Sequence, residues 1–351
     1  MNKSWLKNLE REKSQNFDRS NYLRLDKNER VIHFDKIFLN SLKKKLNTFQ
    51  ISSYPNIEKI KNLISKNLNI SNNFICLTSG SDFGLRMCFE YFCKEKDRII
   101  SLNPTFGMVE VYSKLFGLKN IQIDYNKKLN INLQLFYSSL KKFSKKISLV
   151  IVANPNSPTG TVIEPKILLE MIKKTNKLKI PILIDEAYYG FYKISFIKYI
   201  KKFDNLVILR TFSKASGLAG LRAGYIVTGK KISQNLFKYR PMYEISSISC
   251  LAIEYLMKNK SVSRNHINEI NLSKKYLTNE LTKMNYNFLN TFGNFFHIDL
   301  GRNRRKFERI LKKNKILIRK GPGVKGYENY LRFSLGSKTQ MKKVIKLLRL
   351  L

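Results

Sequence analysis

The sequence predicts an α/β protein: a large domain with a mostly parallel sheet flanked by helices, followed by a smaller α+β domain. Three observations carry this. Short apolar runs alternate with amphipathic stretches up to about residue 230, the pattern of repeated strand and helix. One run, Leu149-Val-Ile-Val-Ala, is apolar at every position, as a strand covered on both faces must be. The 351 residues exceed one small core and suit two packed lobes. The expected division is 1–40 as an N-terminal arm belonging to the small lobe, 41–235 as the large domain and 236–351 as the small C-terminal domain.

Residues 1 to about 30 are polar and charged and read as an arm rather than a core element. Ser53-Tyr54-Pro55 precedes an amphipathic helix over 57–68. An apolar strand then ends at Thr78, Gly80 turns the chain, and Ser81-Asp82 open a helix to about 92, with Ser81 or Asp82 as its N-cap. The free amides and positive dipole end of such a helix make a ready phosphate site on the same turn. A strand at 98–102, the string Asn103-Pro-Thr-Phe-Gly-Met, a helix over 108–116 and a strand at 120–124 come next. The buried strand at 149–153 runs into Asn154-Pro-Asn-Ser-Pro-Thr-Gly, a Pro/Gly turn in its own right. A helix over 165–175 leads to a strand ending in Asp185, where open α/β sheets bind ligands. Glu186 is the competing acid, and strand alternation favours Asp185.

A strand at 206–209 opens the most informative stretch, Leu209-Arg-Thr-Phe-Ser-Lys-Ala-Ser-Gly-Leu-Ala-Gly-Leu-Arg-Ala-Gly. A tight Gly/Ala-rich loop carries Thr211, Ser213 and Lys214, and Arg222 follows eight residues on. Hydroxyls with a guanidinium suit a phosphate. A lysine beside a bound phosphate suits Schiff-base chemistry with a phosphorylated aldehyde. A lone lysine in so basic a chain signifies nothing; the ordered set does. Beyond Gly229 a helical stretch is broken by Pro241 and resumes over 248–257. The rest reads as a long helix to about 283, a strand at 295–300, a helix over 304–314, strands at 316–319 and 330–334, and a last helix from about 338.

Composition excludes several classes. No apolar run approaches the roughly 20 residues of a membrane helix, and the first residues, Met-Asn-Lys-Ser-Trp-Leu-Lys, lack the apolar core of a signal peptide. The expectation is a soluble, cytoplasmic protein. Cys76, Cys88, Cys93 and Cys250 form no Cys-x-x-Cys pair and the three histidines lie far apart, so no metal site is expected and the cysteines read as reduced and mostly buried. The net charge of +41 taken alone points to nucleic acid or an anionic membrane. The lysines are spread along the whole chain rather than gathered in one cluster with interleaved aromatics, and Lys, Asn and Ile together are the imprint of an AT-rich genome. The expectation is therefore no specific nucleic-acid partner, with non-specific binding to polyanions in low salt.

The form Thr-x-Ser-Lys-Ala-x-x-Leu-Ala-Gly-Leu-Arg-x-Gly resembles the lysine signature of the fold-type-I, pyridoxal-phosphate-dependent aminotransferases, most of all the histidinol-phosphate aminotransferase branch. Gly80-x-Asp82-x-Gly84, the Asn154 to Gly160 string, Asp185-Glu-Ala-Tyr188 and Tyr330-Leu-Arg-Phe-Ser-Leu-Gly match further family segments, so the likeness runs from about residue 22 to 340. It implies pyridoxal 5'-phosphate as cofactor in the 41–235 domain, with Lys214 as its covalent anchor and proton carrier. By the same resemblance Asp185 pairs with the ring nitrogen, Tyr188 bonds the phenolic oxygen, and Phe106 stacks on the ring. Ser157 stands where relatives have an asparagine that donates to that oxygen, with Asn156 just before it, and either can donate. Ser81, Asp82, Thr211, Ser213 and Arg222 would hold the phosphate, joined across a homodimer interface by Tyr54 of the other subunit. Arg332 and Arg319 would clamp the substrate's anion, and Asn28 would line the substrate pocket. The family's Asn-Glu-Asn-Pro-x-Gly segment is represented by Asn28 and Glu29, followed by Arg30 without the Pro and Gly. The implied reaction moves an amino group between histidinol phosphate, or another phospho, phosphono or amino-acid substrate, and 2-oxoglutarate. A threonine-phosphate decarboxylase-like activity is the alternative within the family, and a basic nucleic-acid-binding protein the alternative outside it.

Overall fold

The computed structural model describes residues 5, 6, 9 and 17–351, so much of the expected arm before residue 17 lies outside the described residues. The chain runs β1 (Leu23–Arg24), α1 (Lys36–Lys45), α2 (Thr48–Ser52), α3 (Ile57–Leu68), β2 (Ile75–Thr78), α4 (Gly80–Phe92), β3 (Arg98–Asn103), α5 (Met108–Leu115), β4 (Lys119–Asp124), α6 (Leu133–Phe143) and β5 (Ile147–Ala153). It continues with α7 (Pro165–Lys177), β6 (Ile182–Asp185), β7 (Leu206–Thr211), β8 (Gly224–Thr228), α8 (Lys230–Phe237), α9 (Ser247–Lys258) and α10 (Lys260–Lys283). It ends with β9 (Phe288–Leu289), β10 (Phe295–Asp299), α11 (Arg304–Lys313), β11 (Ile316–Leu317), β12 (Arg319–Lys320), β13 (Tyr330–Ser334) and α12 (Lys338–Leu348).

Seven strands form the large sheet in the order β2-β8-β7-β6-β5-β3-β4. Only β8 runs against its neighbours; the pairs from β7 to β4 are parallel. The apolar runs make this possible, because successive side chains leave on opposite faces and both faces are covered. Val150 and Val152, Ile182 and Ile184, Leu206 and Ile208 enter one core with α3, α6, α7 and α9. Leu149 and Ile151, Leu183, Val207 and Leu209 enter the other with α4, α5 and α8. Each such side chain, fully buried, contributes about 1.5–3 kcal/mol, so the strand ends are a rigid platform.

Ala153, Asp185 and Leu209 lie side by side across β5, β6 and β7, which fixes where the three following loops emerge. The small lobe is an antiparallel sheet, β12-β13-β10-β9, backed by α10, α11 and α12. Helix ends follow local chemistry: Asn56 caps α3 through Lys59 N–H, and Pro165 starts α7 where its missing N–H costs nothing. No helix of the described residues is long and apolar enough to cross a membrane.

Three expectations need correction. The stretch before residue 30 is not confined to an exposed arm: β1 pairs in parallel with β11, and Leu25 is fully buried in the small core. The strand expected over 316–319 divides, its first half serving β1 and its second half, β12, serving β13. At the start of α4 neither Ser81 nor Asp82 is the cap; Ser79 occupies that position without a side-chain cap bond.

Candidate active site

One cavity of about 1110 Å³ lies beyond the C-terminal ends of β5, β6 and β7, with β12 and β13 of the small lobe on its other side. Ser81, Asp82, Phe106, Ser157, Asp185, Tyr188, Thr211, Ser213, Lys214, Arg222, Arg319, Arg332 and Asn28 all line it.

The floor is made by β6 and β7. Asp185 accepts from Ala187 N–H at 2.9 Å. Burial pushes its carboxyl up to about 6, against that hydrogen bond and the nearby Lys214 ammonium. Glu186, the residue just past the end of β6, is consumed elsewhere: it takes Arg210 Nη2 at 2.8 Å, Ser195 Oγ at 2.8 Å and Phe196 N–H at 2.8 Å. Lys214 follows β7 on a loop closed by Leu218 N–H donating to Phe212 O at 2.8 Å. Its Nζ donates to the carbonyls of Lys27 at 3.0 Å and Asn28 at 3.1 Å.

Beside the lysine is a cradle of donors. Gly80 has φ +78°, and a Cβ there would stand 2.7 Å from Arg222 Nη2. A Cβ on Gly224 would stand 2.8 Å from Ser81 N, so the lysine loop's return strand presses directly on the start of α4. With no side chain capping α4, its first amides remain for a ligand, and the Thr211, Ser213 and Ser81 hydroxyls and Arg222 join them. Asp82 is turned aside, accepting from Tyr112 Oη at 3.0 Å.

The far wall carries two arginines in register, Arg319 on β12 and Arg332 on β13. Arg332 Nη2 donates to Asp26 O at 2.8 Å, while its buried Nε has no hydrogen-bond partner among the described residues. Burial pushes this guanidinium down, and Arg319 beside it acts in the same direction. The neighbouring acids are engaged elsewhere: Asp26 and Glu29 each meet Arg19 at 2.6 Å.

Three further candidates are Asn156, Tyr54 and Asn28. Asn156 is fully buried, its Nδ2 donating to Pro104 O at 2.9 Å and Thr159 Oγ1 at 2.8 Å, and its Oδ1 accepting from Thr105 Oγ1 at 2.9 Å. It shapes the turn, and Ser157 is the member of the pair on the cavity wall. Tyr54 is outside the cavity, 77% exposed and stacked on Tyr243 at 4.0 Å. Asn28 lines the cavity, yet both ends of its amide are engaged, by Tyr188 Oη at 2.8 Å and Ser334 Oγ at 3.1 Å.

The sequence reading missed Thr105, whose hydroxyl fixes Asn156, and the Lys27 carbonyl that receives Lys214. Thr105 sat in a quoted string and could have been found. A backbone carbonyl 187 positions from its donor leaves no sequence signal. No cluster of three metal-ligating side chains occurs among the described residues, and burial pushes the thiols of Cys76, Cys93 and Cys250 up to about 12.

The family model "Aminotransferase class I and II" matches residues 17–348. A histidinol-phosphate aminotransferase of Clostridium novyi (strain NT) is 31% identical over 337 residues, 93% of this chain and 91% of that protein. One from Buchnera aphidicola subsp. Cinara cedri is 31% identical over 319 residues, 89% and 88% of the two chains. The solved histidinol-phosphate aminotransferase of Sinorhizobium meliloti, in complex with pyridoxal-5'-phosphate, matches with a TM-score of 0.84 at 19% identity, over 93% of this chain and 91% of that one. The Clostridium acetobutylicum enzyme matches with a TM-score of 0.83 at 22% identity, over 93% and 98%. At those identities the shared property is the fold.

Proposed function

Since the chain belongs to the class I and II aminotransferases, a pyridoxal-phosphate-dependent family, we propose that it transfers the amino group of histidinol phosphate to 2-oxoglutarate. The observation that carries the substrate class is Arg332, a half-buried guanidinium whose Nε is buried and unsatisfied, set beside Arg319 on the cavity wall. A guanidinium facing a cavity with an unsatisfied donor gains charge-assisted, fork-like hydrogen bonds when an anion binds there. The similarity to histidinol-phosphate aminotransferases over more than nine-tenths of the chain supports the particular anion.

The residues present fit the cofactor. The Gly80–Arg222 cradle would take its phosphate, a space that a Cβ would close. Asp185, an acid raised to about 6 by burial, would gain a cation in the ring nitrogen. When bound, pyridoxal phosphate supplies an aldehyde that carries the amino group and a ring that accepts electrons. Lys214 would hold the aldehyde and, once released, carry a proton between the substrate carbon and the cofactor carbon. Asp185 would keep the ring nitrogen protonated. Tyr188 and Ser157 would donate to the phenolic oxygen, and Phe106 would cover the ring. Arg332, with Arg319, would hold the anionic end of the substrate and so orient the carbon that loses its proton.

Stepwise addition of histidinol phosphate to the cofactor-loaded protein will bleach its visible band at millimolar or lower concentration. Arg332→Lys will keep the band and raise the concentration needed by on the order of 10–100-fold, because an ammonium cannot reproduce the fork. Bleaching by glutamate or phosphothreonine but not by histidinol phosphate would move the substrate elsewhere.

The same reading makes the protein a homodimer in which Tyr54 of a second copy meets the cofactor phosphate. Ile37, Phe49, Ile51, Tyr54 and Met242 are each more than two-thirds exposed, an apolar surface that a lone molecule would leave in water. Sedimentation will give twice the chain mass of 41.2 kDa, and a mass of one chain would remove Tyr54 from the site.

A further inference from the structure

We propose that Asn28 is a positioning residue that sets the direction of the Tyr188 hydrogen bond, and does not contact substrate. Asn28 sits at φ +53°, a left-handed conformation that asparagine tolerates better than most side chains. Its position is held from both directions. Its N–H donates to Ser334 Oγ at 2.8 Å, and its carbonyl accepts from Lys214 Nζ at 3.1 Å and Asn294 Nδ2 at 3.1 Å.

These contacts decide which way its amide points. Ser334 is fully buried, so its hydroxyl hydrogen needs an acceptor, and Asn28 Oδ1 at 3.1 Å supplies it. Nδ2 therefore faces Tyr188 and donates to Oη at 2.8 Å. Tyr188 has one hydrogen. With a lone pair occupied by Asn28, that hydrogen is free to donate into the cavity that Tyr188 lines. The ring is held by Phe295, edge to face at 5.5 Å. Were the amide reversed, Tyr188 would donate to Asn28 and present only lone pairs to the cavity.

The inference rests on the cofactor reading above. A hydroxyl that donates to the phenolic oxygen stabilises negative charge there and keeps the pH midpoint of the cofactor's visible band low. Asn28→Gly removes the amide while keeping the positive φ that glycine adopts freely. The experiment is a pH titration of that band, without substrate, in the unaltered protein, Asn28→Gly, Tyr188→Phe and the double variant. Ser334→Ala, which frees the amide to turn, serves as a second route that leaves Asn28 in place.

The expected result is a midpoint raised by about one unit in Asn28→Gly, a smaller rise in Ser334→Ala, and no further rise when Asn28→Gly is added to Tyr188→Phe. An unchanged midpoint in Asn28→Gly would overturn the proposal. So would an equal rise in the Tyr188→Phe background, because the effect would then bypass Tyr188. Absence of any visible band in the unaltered protein would overturn the cofactor reading, and this inference with it.

Discussion

Lys214→Ala will fold and bind cofactor, yet its transamination rate will fall by at least about 10²–10⁴-fold, the range a positioned proton-transfer group supplies. Among the described residues, three lysines line the cavity: Lys27, Lys214 and Lys320. Lys214 alone is carried on the loop between β7 and β8, next to the hydroxyls of Thr211 and Ser213 and within the field of Asp185. Its removal costs the fold little, because the hydrogen bonds lost are those to the Lys27 and Asn28 carbonyls, about 1 kcal/mol each. The variant will therefore melt within a few degrees of the unaltered protein. Lys27→Ala and Lys320→Ala will retain the rate within about tenfold. Single-turnover measurements of all three variants decide the matter: a Lys214→Ala rate within tenfold of the unaltered enzyme would dismiss Lys214 as the proton carrier.

Asp185→Asn will separate stability from activity. Burial raises this carboxyl from 3.8 to about 6 in the folded protein. A folded-state value above the unfolded one means that the stability linked to the group is fully present below about pH 3.8 and is lost as pH rises through about 6. The whole effect is about 2–3 kcal/mol. In the cofactor-free protein, asparagine escapes that penalty and can still accept from Ala187 N–H. Cofactor-free Asp185→Asn will melt several degrees above the unaltered protein at pH 8, and the difference will vanish near pH 4. Loaded with cofactor the variant will turn over on the order of 10²–10³-fold more slowly, since a neutral amide cannot hold a proton on the ring nitrogen. Equal melting temperatures at pH 8 would show that Asp185 is not held as a costly buried charge. The opposed signs are expected of a group placed for chemistry rather than for stability.

The large domain was legible because its strands are covered on both faces. Burial on both faces demands apolar residues at every position, and the runs at 149–153, 182–184 and 206–209 could hardly be anything else. Helices α1 and α2 went unassigned for the converse reason: Phe38 and Leu42 face the core, but Ile37, Leu39, Phe49 and Ile51 are exposed, so apolar residues fall on both sides and blur the helical period. The chemistry of the cavity was legible where one short segment carries several parts, as the Lys214 loop does.

The sequence by itself determined the alternation of strands and helices through most of the large domain, the family resemblance, and most of the side chains that meet at the cavity. It could do so because local periodicity and short motifs are written over neighbouring residues. Only the tertiary structure decided what each side chain has left to offer once its neighbours are satisfied. Asn156 and Ser157 are adjacent in the chain, yet Thr105, Pro104 and Thr159 claim the first and leave the second on the wall. Glu186 is withdrawn by Arg210, and Asn28 is bound to Ser334 across 306 positions of sequence. A hydrogen bond uses up a donor wherever its acceptor lies in the chain, so which polar groups remain free for a ligand is settled only when distant segments pack together.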